Sequence, residues 1–254
     1  MRLPVLVLLA LMALPAQAGR CSAETGPATA ALVELYTSEG CSSCPPADRW
    51  LSNLGKRYPS NLVVPLALHV DYWDYIGWKD PYAKREFSLR QRKLSQLQRM
   101  ALVYTPQVVL QGKDFRAWGN AKAFDQALAR INAQPAAARL RIELLAADEK
   151  GLEVEATAEL LQPAPEAALF LAAYASRLES RVMAGENRGR ILSHDHVVLE
   201  WLGPFPVIGR RTERRRLPLL PGAAAAGSGA AAFVQDRRTG DVVQALLRSS
   251  CQAP

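Results

Sequence analysis

Through its first half the chain alternates short apolar runs with stretches of helical period, and after residue 135 a period of two takes over. Residues 32–37 predict a strand. Residues 45–57 predict a helix, with Trp50, Leu51 and Leu54 on its inner face. Residues 62–70 are almost continuously apolar, as expected of a strand covered on both faces. Asp80 followed by Pro81 reads as a helix cap and first helical position, and Ala83, Phe87, Leu94, Leu97 and Ala101 continue along one face. Residues 106–110 predict a third strand, 111–114 a turn, 115–118 a hairpin partner, and 120–132 a last helix.

Beyond the Gln134-Pro135 linker, Leu140, Ile142 and Leu144 alternate with Arg141 and Glu143. Leu152, Val154, Ala156 and Ala158 alternate in the same way with Glu153, Glu155 and Thr157. Further strands are predicted over 167–175, 177–183, 197–202, 230–235 and 242–247, separated by Pro, Gly and Asn turns, with a loop opening the Ala/Gly stretch at Gly222. The expected division is therefore an α/β unit over 28–134 followed by a β-rich, sandwich-like unit over 136–251.

Residues 1–18 combine an early Arg2, an apolar run over 3–14 and the small-residue exit Ala16-Gln17-Ala18, which predicts a cleaved export signal and a periplasmic or secreted protein of about 236 residues. The run is shorter than the roughly 20 apolar residues of a membrane helix, so the mature chain is not expected to be membrane-embedded. Net charge is +7, with acids and bases interleaved. The denser run Arg210-Arg211-Thr212-Glu213-Arg214-Arg215-Arg216 lacks interleaved aromatics and reads as a solvated face, not a nucleic-acid site.

Four cysteines in an oxidising compartment allow three pairings. The expected one joins Cys41 to Cys44 and Cys21 to Cys251, because domain termini often lie close together. Cys41 and Cys44 follow the first strand and open the first helix, which places one sulfur at an exposed helix start and the other one turn behind it. There the helix dipole favours a thiolate at Cys41, the expected nucleophile, with Cys44 as the resolving thiol.

The order strand, Cys-x-x-Cys, helix, strand, helix, strand, hairpin and helix, with Tyr104-Thr105-Pro106-Gln107 opening the third strand, resembles a thioredoxin-type active site. The run from Leu35 to Asp48 through Cys41-Ser42-Ser43-Cys44-Pro45-Pro46, with His69-Val70-Asp71-Tyr72-Trp73-Asp74, is similar to a family of secreted bacterial proteins with a thioredoxin-like domain of unknown function. The resemblance covers most of the mature chain. It implies a thioredoxin-like N-terminal domain, a cis Pro106 that sets the Thr105 backbone beside the cysteines, and a buried carboxylate at Glu34 able to take the Cys44 proton. Gly40 before Cys41, Pro45-Pro46 after Cys44 and the negative charge of Glu39 depart from ordinary thioredoxins.

These residues together point to a thiol-disulfide oxidoreductase acting on protein or small-thiol disulfides, with no cofactor and no metal. The alternatives are a Cu(I) carrier using the same two sulfurs and a non-catalytic protein-binding scaffold. The aromatics of 72–78 read mainly as local packing beside the disulfide. Among the histidines, His194 and His196 read as a structural or surface pair. No oligomeric state is legible.

Overall fold

In the computed structural model the described residues are 21–148, 151–219 and 227–251. The expected export signal over 1–18 and the start of the Gly222 loop lie outside them.

The helix α1, Pro45–Arg57, forms where the apolar spacing predicts it. Ala47, Leu51 and Leu54 recur at helical spacing and are buried, the two prolines occupy positions that need no N–H, and Lys56 and Arg57 complement the C-terminal end of the dipole. It connects two parallel strands, β2 (Ala31–Thr37) and β3 (Val63–His69), both buried along their whole length. The second helix, α2, starts only at Arg85 and runs to Leu97. Asp80 does not cap it: that carboxylate is claimed by stronger, buried partners described below.

β4 (Gln107–Leu110) runs antiparallel to β2. The expected hairpin partner over 115–118 is instead a two-residue strand, β5 (Lys113–Asp114), followed by a 3-10 turn at Arg116–Gly119. Asn120 then caps α3, Ala121–Asn132, by accepting the Ala123 N–H.

The remaining strands are β1 (Ser22–Glu24), β6 (Ala138–Asp148), β7 (Gly151–Leu160), β8 (Ala167–Ala175), β9 (Leu178–Arg181), β10 (Ile191–His194), β11 (Val197–Pro206), β12 (Arg210–Pro218), β13 (Ser228–Asp236) and β14 (Val242–Ser249). They do not build a separate unit after a thioredoxin-like one. A single eight-stranded sheet in the order β14-β13-β8-β11-β3-β2-β4-β5 takes strands from both halves of the chain, and that finding overturns the expected architecture. The junction is parallel pairing of β11 with β3, Val197 opposite Ala67, reinforced by the Ala67 N–H donating to the His196 carbonyl at 2.8 Å. Periodicity marked both strands as buried but carries no information about which strand lies beside which.

One face of this sheet meets α1, α3 and a second, four-stranded sheet, β1-β6-β7-β12. Their apolar residues merge: Leu35, Leu51 and Phe124 share one core with Leu140, Ile142, Val154, Leu171 and Leu246. The opposite face is covered by α2, whose Phe87 and Leu94 pack with Leu32, Tyr36, Leu66, Leu68, Phe170 and Phe233. The basic run at 210–216 is the edge strand β12, with Glu213 turned inward between Arg211 and Arg215 and only Leu217 joining it in the interior. Charged edge strands resist pairing with other chains.

Disulfides join Cys41 to Cys44 and Cys21 to Cys251, with Cα atoms 5.4 and 5.7 Å apart. No helix among the described residues is long and apolar enough to cross a membrane.

Candidate functional site

Cys41 and Cys44 stand where β2 ends and α1 begins. Register places residue 106 at the same end of the sheet: β4 pairs Gln107 with Tyr36, so the preceding proline lies beside the strand that leads into the cysteines. The Thr105–Pro106 bond is cis. Trp73, in a 3-10 turn at Asp71–Ile76, spans the two segments. Its indole N–H donates to Thr105 Oγ1 at 2.7 Å, and its Cβ packs over Gly40, where an added Cβ would meet both Trp73 and Ile76 at 3.2 Å. A side chain at residue 40 would press on both, so the small residue suits the tight turn before Cys41.

Behind the disulfide lies a buried polar cluster on the α1 face of the sheet. Asp48, one turn along α1 from Cys44, donates its backbone N–H to the Cys44 carbonyl at 3.1 Å, and its carboxylate accepts the Thr37 hydroxyl at 2.7 Å. Burial pushes the Asp48 pKa up, opposed by the nearby His194 and His69. His69 Nδ1 sits 2.7 Å from Asp80 Oδ2, both side chains fully enclosed. Burial disfavours charge on His69, but the carboxylates of Asp80, Asp48 and Glu39 together outweigh it and raise the pKa. Burial likewise opposes the Asp80 charge, and His69 with the amides of Glu39 and Tyr82 brings that pKa down. Glu39 accepts the Trp78 indole N–H at 2.8 Å, and its other carboxylate oxygen lies 3.1 Å from His194 Nε2.

Thus Glu39 is held inside by two partners. Asp71 and Asp74 are engaged locally, with Ser88 and the Asp80 amide. Of the histidine pair, His194 joins the cluster, whereas His196 packs against Gly55 of α1 and burial lowers its pKa.

Glu34 is elsewhere. Along β2, Val33, Leu35 and Thr37 face α1, while Leu32, Glu34 and Tyr36 face α2. The Glu34 carboxylate is clasped by Arg90, Nε at 2.6 Å and Nη2 at 3.0 Å, and accepts the Tyr36 hydroxyl at 3.2 Å. The Arg90 guanidinium itself lies over Trp201, 4.4 Å from the ring centroid. The structure therefore does not bring Glu34 to the disulfide; the buried carboxylate one turn along α1 from Cys44 is Asp48. Its i+4 spacing from Cys44 was the available signal.

Access is the second departure. Cys41 is 1 % and Cys44 0 % exposed, against the expectation of a sulfur at an open helix start. The segment between β9 and β10 is bonded to the backbone that carries them. Asn187, fully buried, donates from Nδ2 to the Glu39 carbonyl at 2.8 Å and to the Cys41 carbonyl at 2.9 Å. Its neighbour Glu186 accepts the Ser42 N–H at 2.9 Å, a contact that lowers the Glu186 pKa. Ser43 Oγ lies 3.3 Å from Cys41 Sγ.

No curated protein matches the chain. Among solved structures it is similar to protein AGR_C_4864 from Agrobacterium tumefaciens, at 26% identity over 91% of this chain and 98% of that one, with a TM-score of 0.65. It also shares a fold with HBP35 of Porphyromonas gingivalis, at 16% identity over 90% of this chain and 77% of that one, TM-score 0.68. A family described as "Protein of unknown function (DUF1223)" matches residues 32–235. That span takes in the disulfide, the cis proline and the Asn187 segment alike, and the chain belongs to this family.

Proposed function

We propose that this protein is a thiol-disulfide oxidoreductase of an oxidising compartment outside the cytosol, with Cys41 and Cys44 as its redox pair. The observation that carries the reading is the placing of the Cys41–Cys44 disulfide at the start of α1 with the buried carboxylate of Asp48 one turn behind it. An enclosed carboxyl group whose pKa is raised, one turn from a thiol that must lose a proton, supports that reading. The two disulfides support the compartment.

In the reduced protein Cys41 reacts as the thiolate, favoured by the helix start and by the Ser43 hydroxyl. It attacks one sulfur of a client disulfide; the client S–S bond breaks and the first client thiolate leaves. Cys44 then passes its proton to Asp48 and attacks Cys41 Sγ, which re-forms the intramolecular disulfide and expels the second client thiolate. Two electrons pass to the client. The reverse sequence, with a dithiol client, oxidises that client instead.

The test is a Cys44→Ser variant expressed in its native compartment and isolated without reductant. Covalent adducts through Cys41 that disappear in Cys41→Ser/Cys44→Ser support the reading. If the wild-type disulfide cannot be reduced by a dithiol in the native state, the reading fails.

A further inference from the structure

The redox reading leaves one feature without a purpose: an enclosed disulfide whose loop is tied by hydrogen bonds to a polar segment from a distant part of the chain. The loop over 182–190 is an ordered structure. Val182 N donates to the Arg190 carbonyl at 2.9 Å, Gly189 N to the Val182 carbonyl at 2.8 Å, and Arg190 Nη1 to Asn187 Oδ1 at 2.8 Å. It also rests on the turn beside the disulfide, with Gly185 close against Ile76 and Trp78. Its attachment to the cysteine loop is made through three hydrogen bonds, two from Asn187 and one to Glu186.

Few amides are open for a negative charge at this helix start. Cys44 N donates to the Cys41 carbonyl, Ala47 N and Asp48 N both donate to the Cys44 carbonyl, and Pro45 and Pro46 have no N–H. Ser42 and Ser43 remain, and the Ser42 amide is taken by the Glu186 carboxylate at 2.9 Å. While Cys41 is bonded to Cys44 its sulfur carries no charge and does not compete. When a dithiol reduces the bond, two electrons and two protons enter, the reductant closes to its own disulfide, and Cys41 releases one proton to solvent as it becomes a thiolate. A second negative charge then stands one residue from Ser42, where it opposes the Glu186 carboxylate and competes for the Ser42 amide.

We infer that Glu186 and Asn187 form a redox-gated strap, latched over the oxidised disulfide and released by the Cys41 thiolate, so that the nucleophile is uncovered only in the reduced protein. This rests on the redox reading and deepens it: the segment between β9 and β10 makes access to the redox pair slower in the oxidised protein than in the reduced one. Asn187 acts as the latch and Glu186 as the charge sensor; neither touches the reacting sulfur, so both are positioning residues.

Amide hydrogen exchange of the full-length protein, oxidised and then reduced with dithiothreitol, tests it. Amides of 183–190 are expected to exchange at least tenfold faster after reduction. In Glu186→Gln that redox difference should shrink to less than threefold, while Asn187→Ala should already exchange fast when oxidised and be reduced by dithiothreitol several-fold faster than wild type. A Cys41→Ala/Cys44→Ala protein with and without reductant removes any contribution of the Cys21–Cys251 bond. Equal exchange in both states of a protein whose Cys41–Cys44 bond is shown by mass to be open overturns the strap alone. A bond that does not open in the native protein overturns strap and redox reading together.

Discussion

Asp48 follows Cys44 by one helical turn, with its N–H on the Cys44 carbonyl at 3.1 Å and its carboxylate enclosed against Thr37. On the proposed redox reading, Asp48 is the group that takes the Cys44 proton. Asp48→Asn should therefore slow resolution of the mixed disulfide by about a hundredfold near neutral pH, within the usual range for losing a general base. Stopped-flow measurement of the second step checks this, with thermal unfolding as control; an unchanged rate would remove Asp48 from the chemistry.

Glu34 and Arg90 should behave in the opposite way. Their side chains are 0% and 10% exposed, so Arg90→Met strands a buried carboxylate and is expected to cost about 3–5 kcal/mol of stability. Urea titration measures the cost. The equilibrium of Cys41–Cys44 with glutathione should stay within about threefold of wild type, because Glu34 faces α2 while the cysteines belong with α1.

The His69–Asp80 pair makes stability depend on pH from both sides. The folded pKa of His69 is raised, so its contribution is complete below the unfolded value of about 6.5 and is lost as pH climbs through the higher folded value. The folded pKa of Asp80 is lowered, so its contribution is complete above about 3.9 and is lost as pH falls through the lower folded value. Glu39 and Asp48 also face His69 and hold its charge. Denaturation midpoints measured from pH 4 to 9 should decline on the alkaline side, and His69→Gln should flatten that decline.

Cys21 and Cys251 tie the ends of the described chain across a separation of 230 residues. In the chain-entropy account, opening so long a loop removes up to about 5 kcal/mol. Cys21→Ser/Cys251→Ser should lower the melting temperature clearly while leaving the Cys41–Cys44 equilibrium in place; calorimetry and thiol labelling separate the two.

What the sequence discloses here is mostly local. The bounds of α1 follow from two prolines and three apolar residues at helical spacing, whereas the cis bond at Pro106 is legible only through the resemblance to a thioredoxin-type site. Asp80 misleads because Asp-Pro has the chemistry of a helix start, and only the fold reveals that His69 and the Glu39 amide claim the carboxylate first. Asn187 sits in Glu-Asn-Arg-Gly, which reads as an ordinary turn; its partners lie 146 and 148 residues earlier. β12 hides beneath its arginines, since only Glu213 and Leu217 turn inward, four positions apart. The joining of the two halves is the least legible of all, because an apolar strand declares that it will be covered without saying by what.

The pairing of Val197 with Ala67 has a consequence for how the molecule is made. A ribosome that has released β3 must still produce some 130 residues before β11 arrives, and until then the nascent sheet presents a bare apolar border to its surroundings. Any product cut short ahead of residue 197 keeps that border for good and should clump rather than persist as a working half-protein. Export as an unfolded thread, with collapse delayed until the last strands are through, would spare the chain this hazard.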